Sequence, residues 1–120
     1  METDALKDLL CAALEDGKAE DMNVLDVRGM TTITDWMVIV SGRSDRHVKA
    51  LADAVVEAGK VAGCRPAGVE GTQQGEWVLV DFRDVLVHVM LPRVRAFYNL
   101  EKLWDLGATA PGVAEAATRR

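Results

Sequence analysis

Cysteine is nearly absent from this chain of 120 residues. Cys11 and Cys64 stand far apart, with no CxxC and no metal-ligand spacing around them, which excludes a disulfide framework and leaves free, buried or half-buried thiols as the expectation. Basic residues are also in short supply. Against 19 Asp and Glu there are 14 Lys and Arg, a formal net charge of -5, whereas a sequence-independent nucleic-acid binder needs a cationic footprint to release phosphate counterions. A basic partner surface suits this composition better. No apolar run approaches the roughly 18 residues of a membrane span. The N-terminus METDALKDLL carries acids where a signal or transit peptide carries bases, so a cytoplasmic protein is expected. Internal repeats and linkers are missing too. The single low-complexity stretch is Gly107 to Arg120, rich in Gly, Ala, Thr and Pro, so residues 1–106 read as one domain and 107–120 as a flexible tail. With hydrophobic residues at 49%, one domain of this length can bury a core without staples.

Catalytic signatures are equally sparse. Gly42-Arg43-Ser44-Asp45 follows a strand and opens a helix, so its N–H groups could cradle an anion, but GxGxxG and the Walker pattern are lacking and Ser44 serves as a helix cap. Strand, Gly-Ser turn and helix together resemble the nucleotidyltransferase fold. There, paired acids on the next strand hold catalytic metals; here that region supplies only Glu70, so two-metal chemistry has no basis. His47 and His88 lack a third ligand at metal spacing. No catalytic residue, cofactor or metal is expected. The alternative kept beside this is a nucleotide-binding or phosphoryl-transfer domain using Gly42–Asp45 with Glu70, Asp81 or His88.

What is present is organised around Trp77 to Trp104, which holds every aromatic residue except Trp36. Before it, Leu6, Leu9, Leu10, Ala13 and Leu14 predict an amphipathic helix from Thr3 to about Lys18, capped by Thr3 or Asp4. A strand over Asn23–Val27 and a fully apolar central strand over Asp35–Ser41 follow. Ser44 or Asp45 then caps a long helix with Val48, Leu51, Ala52, Val55 and Val56 as its buried stripe, and Gly59 and Gly63 loosen its far end. An extended segment at Ala67–Glu70 completes a strand-helix-strand crossover.

Placing Arg83 and Asp84 at the turn makes Trp77–Asp81 and Val85–Met90 a hairpin in which Asp81 faces Leu86, Leu79 faces His88 and Trp77 faces Met90. Its two faces differ. Val78, Val80, Phe82, Val85, Val87 and Val89 form a purely apolar one. Trp77, Leu79, Asp81, Leu86, His88 and Met90 form another, in which a carboxylate and an imidazole sit among large apolar groups. Asp81 and His88, diagonal neighbours, admit three readings: a general-base pair, a structural pair beneath a helix, or polar contacts in an apolar interface anchored by Trp77. Pro92 then starts a closing helix with Phe97, Leu100 and Trp104 on one face and Arg95, Tyr98, Asn99 and Lys102 towards another.

The runs Val24-Leu25-Asp26-Val27, Thr34 through Ser44, Glu70-Gly71, Trp77 through Asp81, Val87 through Met90 and Arg95 through Trp104 resemble the ribosomal silencing factor family, also called Iojap or RsfS. The resemblance covers about residues 3 to 106, with Trp36-Met37 where the family usually has Tyr-Phe. It implies a single-domain α/β fold, a mixed β-sheet of about five strands flanked by helices, nucleotidyltransferase-like without the catalytic acidic pair. It also implies a non-enzymatic factor that binds the large ribosomal subunit through ribosomal protein L-fourteen and blocks small-subunit joining when nutrients are short. Such a factor is a homodimer when free, with no membrane and no sequence-specific nucleic-acid contact. Carried onto this sequence, the docking candidates are Trp77, Leu79, Asp81, His88, Met90, Arg95, Tyr98, Asn99, Leu100 and Trp104.

Overall fold

The computed structural model describes residues 1–105; the expected flexible tail lies outside the described residues. Helix α1 spans Thr3–Asp16, strand β1 Glu20–Asp26, β2 Trp36–Ser41, helix α2 Asp45–Val61, β3 Gly68–Glu70, β4 Trp77–Asp81, β5 Val85–Met90, α3 Pro92–Tyr98 and α4 Leu100–Asp105. The strands form one five-stranded sheet in the order β1-β2-β5-β4-β3. Only β2 and β5 pair in parallel, the other ladders being antiparallel, so the sheet is mixed, as expected. The two parallel strands sit in the middle. They are almost wholly buried, which is why both read as unbroken apolar runs rather than alternating ones.

The alternation of side chains sorts the core into two layers. On one face Val38, Val40, Val78, Val80, Phe82, Val85, Val87 and Val89 meet Leu6, Leu10 and Leu14 of α1 and Val48, Leu51, Ala52 and Val55 of α2. The uniformly apolar hairpin face is thus the one covered by α1 and α2. On the other face Met37, Ile39, Leu86 and Met90 pack with Val27, Leu100 and Trp104.

Local chemistry sets the helix ends. Ser44 Oγ accepts the His47 N–H at 3.1 Å and caps α2, satisfying a donor that the helix leaves open. For α1 the expected cap is replaced: Glu2 occupies the capping position without a side-chain bond. Thr3 Oγ1 instead donates to Asp84 (3.3 Å) and Asp4 accepts the Trp36 indole N–H (2.9 Å), so both side chains tie the helix to the sheet. Gly59 does not loosen α2 but packs it. A Cβ there would stand 2.5 Å from the Phe82 ring and 2.6 Å from the Cys64 carbonyl oxygen, so glycine is what lets α2 lie over the hairpin. Cys11 and Cys64 are free and half-buried, and burial pushes the Cys11 thiol up.

The closing helix differs most from expectation. It breaks at Asn99, which adopts the left-handed conformation (φ 50°, ψ 50°) and donates its N–H to the Arg95 carbonyl. Asn is among the few residues for which that conformation is cheap. The break redirects the chain, so Leu100 and Trp104 enter the second core while Phe97 is left 81% exposed.

A candidate partner-docking surface

The docking candidates divide by burial. Met90, His88, Leu100 and Trp104 are in the second core, so in this structure they underlie the surface and do not form it. Trp77, Leu79 and Asp81 alternate along β4 as half-buried positions between buried valines. Glu70 lies opposite Leu79 on β3, on the same face, and is exposed. Helices α3 and α4 cover the second face over β2 and β5, and the strip on β3 and β4 stays partly open. Tyr98 extends that strip from α3, its ring centroid 4.9 Å from Trp77, and Phe97 meets Tyr98 edge-on at 5.1 Å. A groove of about 420 Å3 runs between them, lined by Glu76, Trp77, Arg93, Val94, Phe97 and Tyr98.

The hairpin register is the expected one, with Leu79 opposite His88 and Asp81 opposite Leu86. The expected Asp81–His88 pair, however, does not form. Asp81 Oδ1 accepts the backbone N–H of Arg83 at 2.7 Å, closing a turn in which Arg83 takes a positive φ of 73°. His88 instead takes its hydrogen bond from Trp77, whose indole Nε1 donates to Nδ1 at 2.9 Å. An imidazole that accepts at Nδ1 and is neutral carries its proton on Nε2, and burial alone lowers its pKa to about 4. The general-base reading rests on a carboxylate that orients the imidazole, and among the described residues no carboxylate bonds this ring. His88 lies buried beneath the candidate surface and accepts the Trp77 indole N–H.

Arg95 is likewise committed within the molecule. Its guanidinium forks onto Glu101 at 2.7 and 2.9 Å and reaches Ser41 Oγ at 3.0 Å, while Asn23 donates to the same carboxylate at 3.0 Å. The Arg95 fork, helped by Asn23, holds the Glu101 carboxyl below its usual range. This network bridges the Asn99 break and ties α3 and α4 to β1 and β2. Asn99 itself is exposed and acts through its backbone. Phe97, Val94, Glu76 and Arg93 were missing from the sequence-based candidates, because a continuous helix turns Phe97 inward with Leu100. Asn99 carried the signal that it does not.

The turn considered for anion binding has little to offer a phosphate. The Arg43 N–H is taken by His47 Nδ1 at 2.9 Å, the His47 N–H by Ser44 and the Gly42 N–H by the Met90 carbonyl. His47 Nε2, which then bears the proton, donates to the Gly17 carbonyl at 2.8 Å. Among the described residues no group of three or more His, Cys, Asp or Glu could hold a metal ion, and no helix is long and apolar enough to cross a membrane.

Comparison with known proteins adds to this geometry. The family model described as "Ribosomal silencing factor during starvation" matches residues 1–119, beyond the limit of the resemblance near residue 106. The chain is similar to a ribosomal silencing factor of Chromobacterium violaceum, 44% identical over 119 residues, covering 99% of this chain and 96% of that protein. It is also 36% identical over 113 residues to the mouse protein "Mitochondrial assembly of ribosomal large subunit protein 1", covering 92% of this chain and 50% of that one. Among solved structures, a crystal structure of a Chromobacterium violaceum protein superposes with a TM-score of 0.86 at 47% identity, covering 88% of each chain.

Proposed function

Since the chain belongs to the ribosomal silencing factor family, a family of regulators and not of enzymes, we propose that it docks on ribosomal protein L-fourteen of the large subunit. In that position it obstructs small-subunit joining and lowers translation when nutrients are short. It works by occupancy, in the cytoplasm, with no cofactor. The observation that carries this reading is the partly open strip of Trp77, Leu79 and Tyr98 beside the carboxylates of Glu70, Glu76 and Asp81. Aromatic anchors give an interface its affinity, and an acidic margin suits a basic ribosomal protein. His88 and Met90 contribute from beneath by fixing the strand, and Arg95, Leu100 and Trp104 by fixing the helices.

Sedimentation with purified subunits tests it. The protein should travel with the large subunit and suppress joining, and unimpeded joining at saturating protein would reject the mechanism. Tyr98→Ala should weaken large-subunit binding by more than about 1 kcal/mol, the cost of truncating an interface anchor. Equal binding by the folded variant would place the docking face elsewhere.

A further inference from the structure

His88 is a costly residue for the place it occupies. It lies on the central strand β5, opposite Ile39 of β2 on one side and Leu79 of β4 on the other, and packs on the face that carries Met37, Ile39, Leu86 and Met90. No part of it is exposed. An apolar side chain of similar size would fill the site without stripping water from a polar ring. Its one hydrogen bond among the described residues runs outward, to the half-buried Trp77. An indole N–H only donates, so His88 Nδ1 must accept, and the neutral ring then carries its proton on Nε2. There the proton meets no acceptor among the described residues. The opposite tautomer would set two donors against each other. Trp77 therefore imposes on the core a buried, unpaired donor, which lowers stability.

We propose that His88 is a positioning residue for the surface above it: its Nδ1 fixes the Trp77 indole in one orientation, against Tyr98, before any partner arrives. The imidazole and indole rings stand 5.9 Å apart at 46°, and Trp77 in turn lies 4.9 Å from Tyr98, so the indole is held from beneath and from the side. Trp77 lines the groove shared with Glu76, Arg93, Val94 and Phe97, where an indole without its hydrogen bond is free to turn about two side-chain torsions. An anchor that is already ordered loses less freedom on binding. A core that gives up stability to order a surface group is a recurrent property of functional sites. That the ordered anchor serves docking on the large subunit rests on the reading above; the positioning itself does not.

NMR of the nitrogen-labelled parent reads the bond directly, through the scalar coupling that an N–H···N hydrogen bond transmits between indole Nε1 and imidazole Nδ1. The coupling should be present for Trp77, whose signal is identified by its loss in Trp77→Phe; its absence would overturn the proposal. His88→Leu removes the acceptor at similar volume. This variant should be at least as stable to urea as the parent at neutral pH, with weaker nuclear Overhauser contacts between the Trp77 and Tyr98 rings. Its dissociation constant for the large subunit should rise by about fivefold. His88→Gln, whose side-chain carbonyl can still accept, should be less stable than His88→Leu and yet bind more tightly, an inverse ranking that a merely structural histidine would not give. In a Trp77→Phe background, His88→Leu should change binding by less than about twofold. Undiminished binding or ring contacts in His88→Leu, or a loss of binding that persists in the Trp77→Phe background, would overturn the proposal. A parent that does not bind the large subunit would reject the docking reading instead, and the coupling and the ring contacts would still decide the positioning.

Discussion

His88 shows how much one side chain can settle. Its ring is completely buried, its Nδ1 accepts the Trp77 indole N–H, and its Nε2 has no hydrogen-bond partner among the described residues, so the folded protein holds it neutral. Burial lowers its pKa from 6.5 to about 4. The unfolded chain therefore binds a proton that the folded chain refuses at pH between these values, and stability falls as pH drops from about 6.5 towards 4 and levels off below. Integrated between pH 7 and pH 5, His88 accounts for a loss of about 2 kcal/mol. Urea unfolding of the parent and of His88→Phe at the two pH values isolates it, because the carboxylates respond alike in both proteins. Parallel pH dependences would mean that His88 is not held neutral. The ring's partner could not be read from the sequence. Strand spacing places Asp81 and Trp77 both within diagonal reach, and the choice is made by the Arg83 turn, which claims the Asp81 carboxylate.

At the scale of elements, the hairpin was legible almost to the residue and the closing helix was not, for one physical reason. Period-two alternation and a two-residue turn fix the register of β4 and β5, and a slip would turn a row of valines out of the core. A helical pattern from Pro92 to Trp104 contains no comparable penalty against a break. It is broken by a single residue that tolerates the left-handed region, and by the Arg95–Glu101 fork that holds the two pieces together. Asn99→Gly should therefore leave stability nearly unchanged, whereas Asn99→Val should cost about 1–2 kcal/mol through the left-handed backbone. Thermal unfolding of the two variants checks this, and a valine protein as stable as the glycine one would remove Asn99 as the cause of the break. Gly59 makes the matching test on α2. Since a Cβ would meet Phe82 and the Cys64 carbonyl, Gly59→Ala should lower stability by about 1–3 kcal/mol, as overpacking does, despite alanine's better helix propensity. A stabilised alanine variant would show that the close approach is unimportant. The central strands, α1 and α2 were readable because apolar residues there recur without interruption. The candidate docking strip was readable only in part, since pattern marks which residues share a face but not which of them a broken helix leaves uncovered.

For the whole molecule, the question is what a net charge of -5 would do for docking on the basic ribosomal protein proposed as its partner. Charge summed over the chain acts beyond contact distance, although at physiological ionic strength it is screened over roughly 8 Å, so carboxylates near the docking strip count most. Glu70 is the sharpest probe. It is exposed on β3 beside Leu79, whereas Asp81 also closes the hairpin turn and Glu76 also pairs with Arg93. Reversing a peripheral charge alters the encounter more than the docked complex. Glu70→Lys should slow association with the large subunit by about two- to fivefold at low salt, change dissociation little, and flatten the dependence of the association rate on salt. Stopped-flow measurements across a salt series distinguish this from loss of an anchor, which would leave association intact and speed dissociation. An association rate and salt slope identical to the parent's would show that the acidic margin does not steer docking, and that the apolar strip alone selects the partner.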